Sequence, residues 1–357
     1  MRTRETGKLV WLGLAVAFTL TLASVASAQP GELVKGVLQP LADGFPNKPI
    51  TLINTDEPGS QDGVYGRVMQ AGLKGISPVD IRISDEPTAS WGTFVRLKEV
   101  LTREGGADGY YPIIISLWGM ATDPLTEPIT EQTGMDISDP NGVIITEATS
   151  YVIVQRKDAP WGRTWADLVK YAKANPNKLR RTTSTIGSGT DIMTRWVEQQ
   201  AGIKVQVIPQ PSMEVAVTAV AAGAADYCGS PSFRTQPHLE AGRLNMLMIM
   251  SPKVPPPWDK DPNVISMVQA GLPETPIGML FGFVVNKQVP TAHVNWLYKL
   301  FRTASETTVN KQRAKTVLGF EPMILDPAQT NALKYKYYEL ADPLVRSVGI
   351  HVDQRKK

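Results

Sequence analysis

Two short segments rich in Ser, Thr and Gly carry the clearest chemical potential in this sequence. Ser184-Thr185-Ile186-Gly187-Ser188-Gly189-Thr190 follows a strand-like run and precedes a helix-like one, so hydroxyls and backbone N–H groups crowd a helix start. Pro58-Gly59-Ser60-Gln61 occupies the same kind of position earlier in the chain, and Gly59 has no Cβ to keep a bound group away. A helix N-terminus favours an anion by about 0.3–2 kcal/mol through its dipole, and each charge-assisted hydrogen bond adds about 1.5–3 kcal/mol. Both segments also admit plainer readings, since Thr190 or Asp191 can cap the following helix and Pro58–Gln61 can be a simple turn. Neither is a nucleotide loop: no Gly-Lys-Ser/Thr follows, and a third glycine with a well-placed acid is missing. The expectation is that Pro58, Gly59, Ser60 and Gln61 face Ser184, Thr185, Gly187, Ser188, Gly189 and Thr190 across a carboxylate.

Other side chains fit the same cleft. Gln210 ends a strand-like run and carries a carboxamide that both donates and accepts. Ser230 and Ser232 follow the run that starts at Asp226, an acid better suited to holding loop backbone than to touching an anion. Trp91 and Trp118 would stack on an aromatic acid if they line the cleft, and would otherwise be packing residues. Catalysis finds little support. His238, His293 and His351 are the only histidines and fall in no metal-ligand spacing, and no G-x-S-x-G elbow occurs. Cys228 stands alone, beside no histidine at a motif-like distance, and reads as a buried inert thiol. No catalytic residue, metal site or cofactor is expected, and a secreted hydrolase is the remote alternative.

The elements that must position these residues alternate along the chain. Strand-like runs at 49–53, 80–84, 113–115, 151–154, 180–183, 205–209, 226–228, 244–250 and 280–285 are interleaved with helix-like ones. The helical runs cover 65–73, 93–101, 164–174, 191–201, 214–222, 293–302 and 328–348, and the proline-dense stretch 252–262 must be loop. Such alternation implies α/β architecture with mostly parallel sheets covered on both faces, in which ligands bind at the carboxyl ends of the strands. At 357 residues with 42% apolar content, two domains are expected. The start of the chain reads as a secretory signal over 1–28: Arg2, Arg4 and Lys8, an uncharged apolar run from Leu9 to Leu22, then Ala26-Ser27-Ala28. No cysteine lies near that point to take a lipid. Removing Arg2, Arg4, Glu5 and Lys8 takes the formal charge from +3 to about +1, which argues against a nucleic-acid partner.

Taken in order, the motifs resemble those of the substrate-binding proteins of tripartite tricarboxylate transporters, the TctC and Bug type of periplasmic receptor. Phe45-Pro46-Asn47-Lys48-Pro49-Ile50 is similar to the family's opening "yPdkPI", and Pro58 to Arg67 resembles "PGGxxDxxxR" at the same spacing. Asp85-Glu86-Pro87-Thr88-Ala89 stands where "NrpGA" is usual, and Asp108-Gly109-Tyr110 matches "DGY". Ala172–Leu179 is close to "AkanPgkL", Gly187–Thr190 to "GxGT", Gly223–Asp226 to "GxvD" and Ala241–Leu244 to "aGklr". Ser60, Gly63 with Asp62 one place early, Trp91, Gln210 and the stretch 117–139 depart from the pattern. The resemblance implies a two-lobed periplasmic-binding-protein fold, type II-like, with two crossover strands as hinge. Lobe one would take 29–150 and 286–357, and lobe two 151–285. It also implies capture of a di- or tricarboxylate or aromatic acid by a monomer and delivery to membrane permease subunits. A receptor that shows its closed form to a signalling partner is the alternative.

Overall fold

The structure, a computed structural model, describes residues 30–88, 92–273, 278–314, 321–347 and 349–355. The expected signal segment lies outside them, as does Trp91. The chain opens with the short hairpin β1 (Leu33–Val34) and β2 (Val37–Leu38), then β3 (Ile50–Asn54), α1 (Gln61–Leu73), β4 (Ile81–Asp85) and α2 (Gly92–Val100). There follow β5 (Ile113–Ser116), α3 (Leu117–Thr126), α4 (Ile129–Thr133) and β6 (Pro140–Thr149). The second lobe contains β7 (Tyr151–Arg156), α5 (Trp165–Ala174), β8 (Arg180–Thr183), α6 (Gly189–Ala201), β9 (Gln206–Pro209) and α7 (Met213–Ala221). It continues through β10 (Tyr227–Pro231), α8 (Ser232–Glu240), β11 (Leu244–Ile249) and β12 (Ile265–Ser266). The chain returns to the first lobe in β13 (Met279–Asn286), α9 (Thr291–Ser305), α10 (Thr308–Arg313), β14 (Glu321–Leu325), α11 (Pro327–Ser347) and α12 (Val352–Arg355).

Two six-stranded sheets result, ordered β14-β6-β13-β5-β3-β4 and β12-β11-β7-β10-β8-β9. They are mixed rather than mostly parallel. β13 runs antiparallel to both β6 and β5, and β7 runs antiparallel to both β10 and β11. The reason lies in the crossings. A strand arriving from the other lobe enters the interior of the sheet, β13 between β6 and β5 and β7 between β11 and β10, and runs opposite to the β-α-β strands it joins. The forward crossing is abrupt: Thr149 pairs with Met279 in the first sheet, Tyr151 pairs with Pro231 in the second, and only Ser150 lies between. The Ser150 carbonyl accepts from the Ser232 N–H at 2.8 Å. The return lies between Ser266 and Met279. The run 280–285, expected on the second-lobe side of the division, pairs along its whole length within the first sheet.

Packing explains why these runs became elements. Ile113, Ile114 and Ile115 are buried on both faces of the first sheet, as an apolar strand covered on two sides requires. One core lies between that sheet and α1 and α9, where Phe283 and Phe301 stack at 4.1 Å. A second fills the far face of the second sheet, around Val152, Val217 and Cys228. A third is continuous between the lobes and joins Ile53, Trp118 and Tyr337 to Tyr151, Ile192 and Trp196. Gly282 of β13 sits where a Cβ would overlap the Ile144 carbonyl of β6. Gly282→Ala should therefore force the crossing strands apart and destabilise the chain by about 1–3 kcal/mol, readable as a lower urea midpoint with an unchanged slope. An unchanged midpoint would mean the two strands are not in this close register.

Candidate functional site

The connection leaving β3 is tied down by side chains. Asn54 Nδ2 donates to the Asp56 carbonyl and to Asp85 Oδ1, both at 2.8 Å, and Arg67 donates to Asp85 Oδ2 at 2.5 Å and to the Pro58 carbonyl at 3.1 Å. Ser60 caps α1, its Oγ accepting from the Gly63 N–H at 3.1 Å. Arg67, the last residue of the motif that begins at Pro58, is thus a strut for the loop. Thr55 and Asp56 of that connection and Asp62 in the first turn of α1 face the space between the lobes, whereas Pro58, Gly59, Ser60 and Gln61 are not among its lining.

The facing loop, between β8 and α6, rests on a buried ion cluster. Asp191, fully buried in the first turn of α6, accepts from the Gly187 N–H at 2.9 Å, from Arg195 at 2.8 Å and from Arg181 at 2.7 Å. Arg181 is equally buried and also pairs with Glu198 at 2.7 Å. Tyr227 in turn donates to Glu198 at 2.5 Å. Ser188 caps the helix by accepting from the Asp191 N–H. Thr190 turns its carbonyl to Tyr151 at 2.8 Å and its hydroxyl to Ser188 at 3.0 Å. A Cβ on Gly189 would overlap the edge of the Trp118 indole, whose Nε1–H donates to the Gly189 carbonyl at 3.2 Å. The start of α6 therefore docks directly on α3 of the other lobe.

Between the two loops lies a cavity of about 520 Å³, walled by both lobes. Thr185, Ile186, Gly187, Ser188, Gly189 and Pro211 come from the second lobe. The first contributes Thr55, Asp56, Asp62, Thr88, Gly92, Thr93 and Ser116, followed by the α3 face of Gly119, Met120, Asp123 and Thr126, and then Glu127. No Lys, Arg or His is among these residues. Burial and the neighbouring Asp56 charge push Asp62 up to about 8, and burial with the Asp56 and Glu127 charges does the same to Asp123. Asp56, at the open rim, is raised in the same direction by the surrounding protein. Arg234 on α8 is ion-paired with Glu214 and attracted to Asp62 and Asp56. Burial lowers it to about 10, so it remains a cation at neutral pH. Ser116 Oγ is enclosed without a hydrogen-bond partner.

Of the residues singled out from sequence, Thr185, Gly187, Ser188 and Gly189 line this cavity, while Ser184 and Thr190 are not in its lining. Gln210 is held by its N–H to the Thr183 carbonyl at 2.8 Å and leaves the wall to Pro211. Ser230 and Ser232 are buried at the forward crossing, Ser232 against the Thr149 hydroxyl at 3.2 Å. Trp118 is 1% exposed and packs edge-on against Tyr337 at 5.4 Å. Asp226 does hold backbone, accepting from the Arg180 N–H at 2.8 Å. Cys228 is fully buried, which pushes its thiol up to about 12. The acidic wall was missed. Its available signal was the placement of Asp56 and Asp62 just past a strand end, where such folds bind ligands.

Two predictions follow from these charges. Arg181→Ala leaves Asp191 and Glu198 buried without their partner and should cost about 3–5 kcal/mol in chemical denaturation; a loss below about 1 kcal/mol would mean the cluster does not hold the loop. Asp62 and Asp123 keep their protons to about 8 in the folded chain, against an ordinary value of 3.8. The folded state then binds more protons than the unfolded one between those limits, so stability falls as pH rises through that window. Asp123→Asn should raise the melting temperature at about pH 8 and change little near pH 4. Parallel pH curves for parent and variant would contradict the raised carboxyl.

Comparison with known proteins places this architecture. The profile of the tripartite tricarboxylate transporter family receptors matches residues 67–350. A UPF0065 protein of Bordetella pertussis is 22% identical over 312 residues, covering 87% of this chain and 92% of the relative. An adipate-bound protein of R. palustris superposes with a TM-score of 0.70 at 20% identity, covering 85% of this chain and 98% of the other. The malate-bound MatC of Rhodopseudomonas palustris does so at 0.66 and 17%, covering 84% and 100%. With the matched profile spanning most of its length, the chain belongs to the tripartite tricarboxylate transporter family of receptors.

Proposed function

We propose that this receptor is exported by the segment 1–28, works in the periplasm, and captures a small carboxylate between its lobes for delivery to membrane permease subunits. The observation that carries the reading is the cavity walled by both lobes, with the N-terminus of α6 on one side. The first turn of a helix presents N–H groups without intrahelical acceptors, and Thr185–Gly189 brings that turn to the cavity wall. Relatives of the same fold hold adipate and malate, acids that a cavity of about 520 Å³ accommodates. Among the described residues no helix is long and apolar enough to cross a membrane, as this role requires. The lobes are 29–150 with the chain from β13 onward, and the intervening 151–278. Ser150 and the return between the two sheets form the hinge, and bound ligand shifts the chain towards its closed form.

A thermal-shift screen against aliphatic and aromatic carboxylates tests this. An acid at about 100 times its dissociation constant should stabilise the fold by about 2.7 kcal/mol, a shift of a few degrees. Ser188 already has the backbone of proline, at φ −65°. Ser188→Pro should therefore keep a cooperative melt while abolishing the shift, because it removes a lining hydroxyl and the helix cap. If no acid moves the melting curve of protein freed of co-purified ligand, the carboxylate assignment fails and the family assignment stands.

A further inference from the structure

The first turn of α6 is held by its carbonyls from two directions. Trp118, the second residue of α3 in the first lobe, donates its Nε1–H to the Gly189 carbonyl at 3.2 Å. The Tyr151 hydroxyl donates to the next carbonyl, that of Thr190, at 2.8 Å, and stands 2.8 Å from Thr194 Oγ1. Tyr151 is the first residue of β7, directly after the crossing at Ser150. Trp118 is 1% exposed and Tyr151 0%, and neither lines the cavity, whereas Gly187, Ser188 and Gly189 do. We propose that Trp118 and Tyr151 are positioning residues of the site, tying the cavity-facing start of α6 to the opposite lobe and to the crossing between the sheets.

This deepens the receptor reading and rests on it. Glycines make both contacts possible: a Cβ on Gly189 would overlap the indole edge, and one on Gly229 of β10 would overlap the Tyr151 hydroxyl. A buried indole N–H or phenol O–H is costly to leave unpaired, so each donor keeps its carbonyl in place. With the Gly187 N–H already held by Asp191 at 2.9 Å, the loop backbone is fixed at residues 187, 189 and 190. A loop ordered in advance loses less freedom when a ligand arrives. The restraint reaches beyond the first turn. Ile192 and Trp196 share one core with Trp118 and Tyr337, and at the far end of α6 Gln199 Oε1 stands 2.9 Å from Ser347 Oγ of α11. A shift of one lobe against the other would therefore move the start of α6 through Trp118, and a change at the crossing would move it through Tyr151. Whichever arrangement of the lobes sets these two contacts favours the ligand, and the ligand favours that arrangement in return.

Amide hydrogen exchange on the ligand-free protein, paired with titration of adipate and malate, tests the inference. Trp118→Phe and Tyr151→Phe each keep a ring and remove the donor. In both variants the amides from Asp191 to Thr194, which close the first turn of α6, should exchange about tenfold faster or more. Those of β10 and β13 should keep the parent's rates. An acid that the parent binds should be held about tenfold more weakly. Val345→Ala is the comparison for packing alone, since Val345 is fully buried in the same core on α11 and touches neither carbonyl contact. It should lower the melting temperature while leaving the exchange of that turn and the affinity as in the parent. Tyr151→Phe decides the matter should Trp118→Phe fail to fold. Parental exchange rates at the start of α6 in these variants would overturn the positioning role, whatever the affinities. Equal loss of affinity in Val345→Ala would also overturn it and return both aromatics to packing. If the parent binds neither acid, the carboxylate reading loses its support, and the exchange rates still decide whether the two residues hold the loop.

Discussion

The hand-over at Ser150 constrains everything else in this molecule. Backbone hydrogen bonds run up to Thr149 in one sheet and resume at Tyr151 in the other, so a single residue separates two separately satisfied ladders. With the Ser150 carbonyl held by Ser232, the backbone of the crossing is paired as well. Buried backbone groups must find partners, and the forward crossing meets that demand with a single residue between the ladders. The carboxyl ends of β3 and β8 are thereby brought to face each other across one space. The antiparallel course of β13 and β7 follows from the same crossing.

Paired charges fix the loops that wall the cavity. Arg181 sits among Asp191, Glu198 and Tyr227, and Arg67 bridges Asp85 to the loop after β3. Each of these clusters fixes a loop backbone from behind. In front of the loops Asp56, Asp62 and Asp123 share one wall with no cation in the lining. Carboxyls in that position cost stability in the empty protein, because their ionised forms lose water and repel one another. Burial relieves this at Asp62 and Asp123 by holding them protonated, whereas the Arg181 cluster is held by pairing, and an unpaired charge there would be far more costly.

The contact between α3 and α6 shows how the lobes meet. Trp118 gives a ring edge to the first turn of α6, and Gly189 leaves it room. Trp118 orders the helix start and does not line the cavity. The core is continuous at this junction, through Trp118 and Tyr337 on one side and Tyr151 and Ile192 on the other. Apolar burial thus holds the two lobes together at this junction.

By itself the sequence determined the alternation of strands and helices, the two loops at helix starts and the colinear motifs of the family. These depend on local periodicity and turn chemistry, which neighbouring residues settle among themselves. The run Arg180–Thr183 and the helix ending at Ala174 are where that pattern put them. The helices that were missed lack such a local signal. α3 contains Gly119 and Pro124, and α8 contains Pro237; both take their form from packing against the rest of the molecule. β6 was hidden because its pattern is broken where it pairs with β13 through register shifts. The polarity of the site belongs wholly to tertiary structure. Asp56 follows β3, Asp62 lies in α1 and Asp123 in α3, and their charges meet only when β3 and β5 lie side by side in the first sheet. No spacing in a sequence encodes that meeting, since electrostatic coupling depends on distance through space and on the water that folding removes.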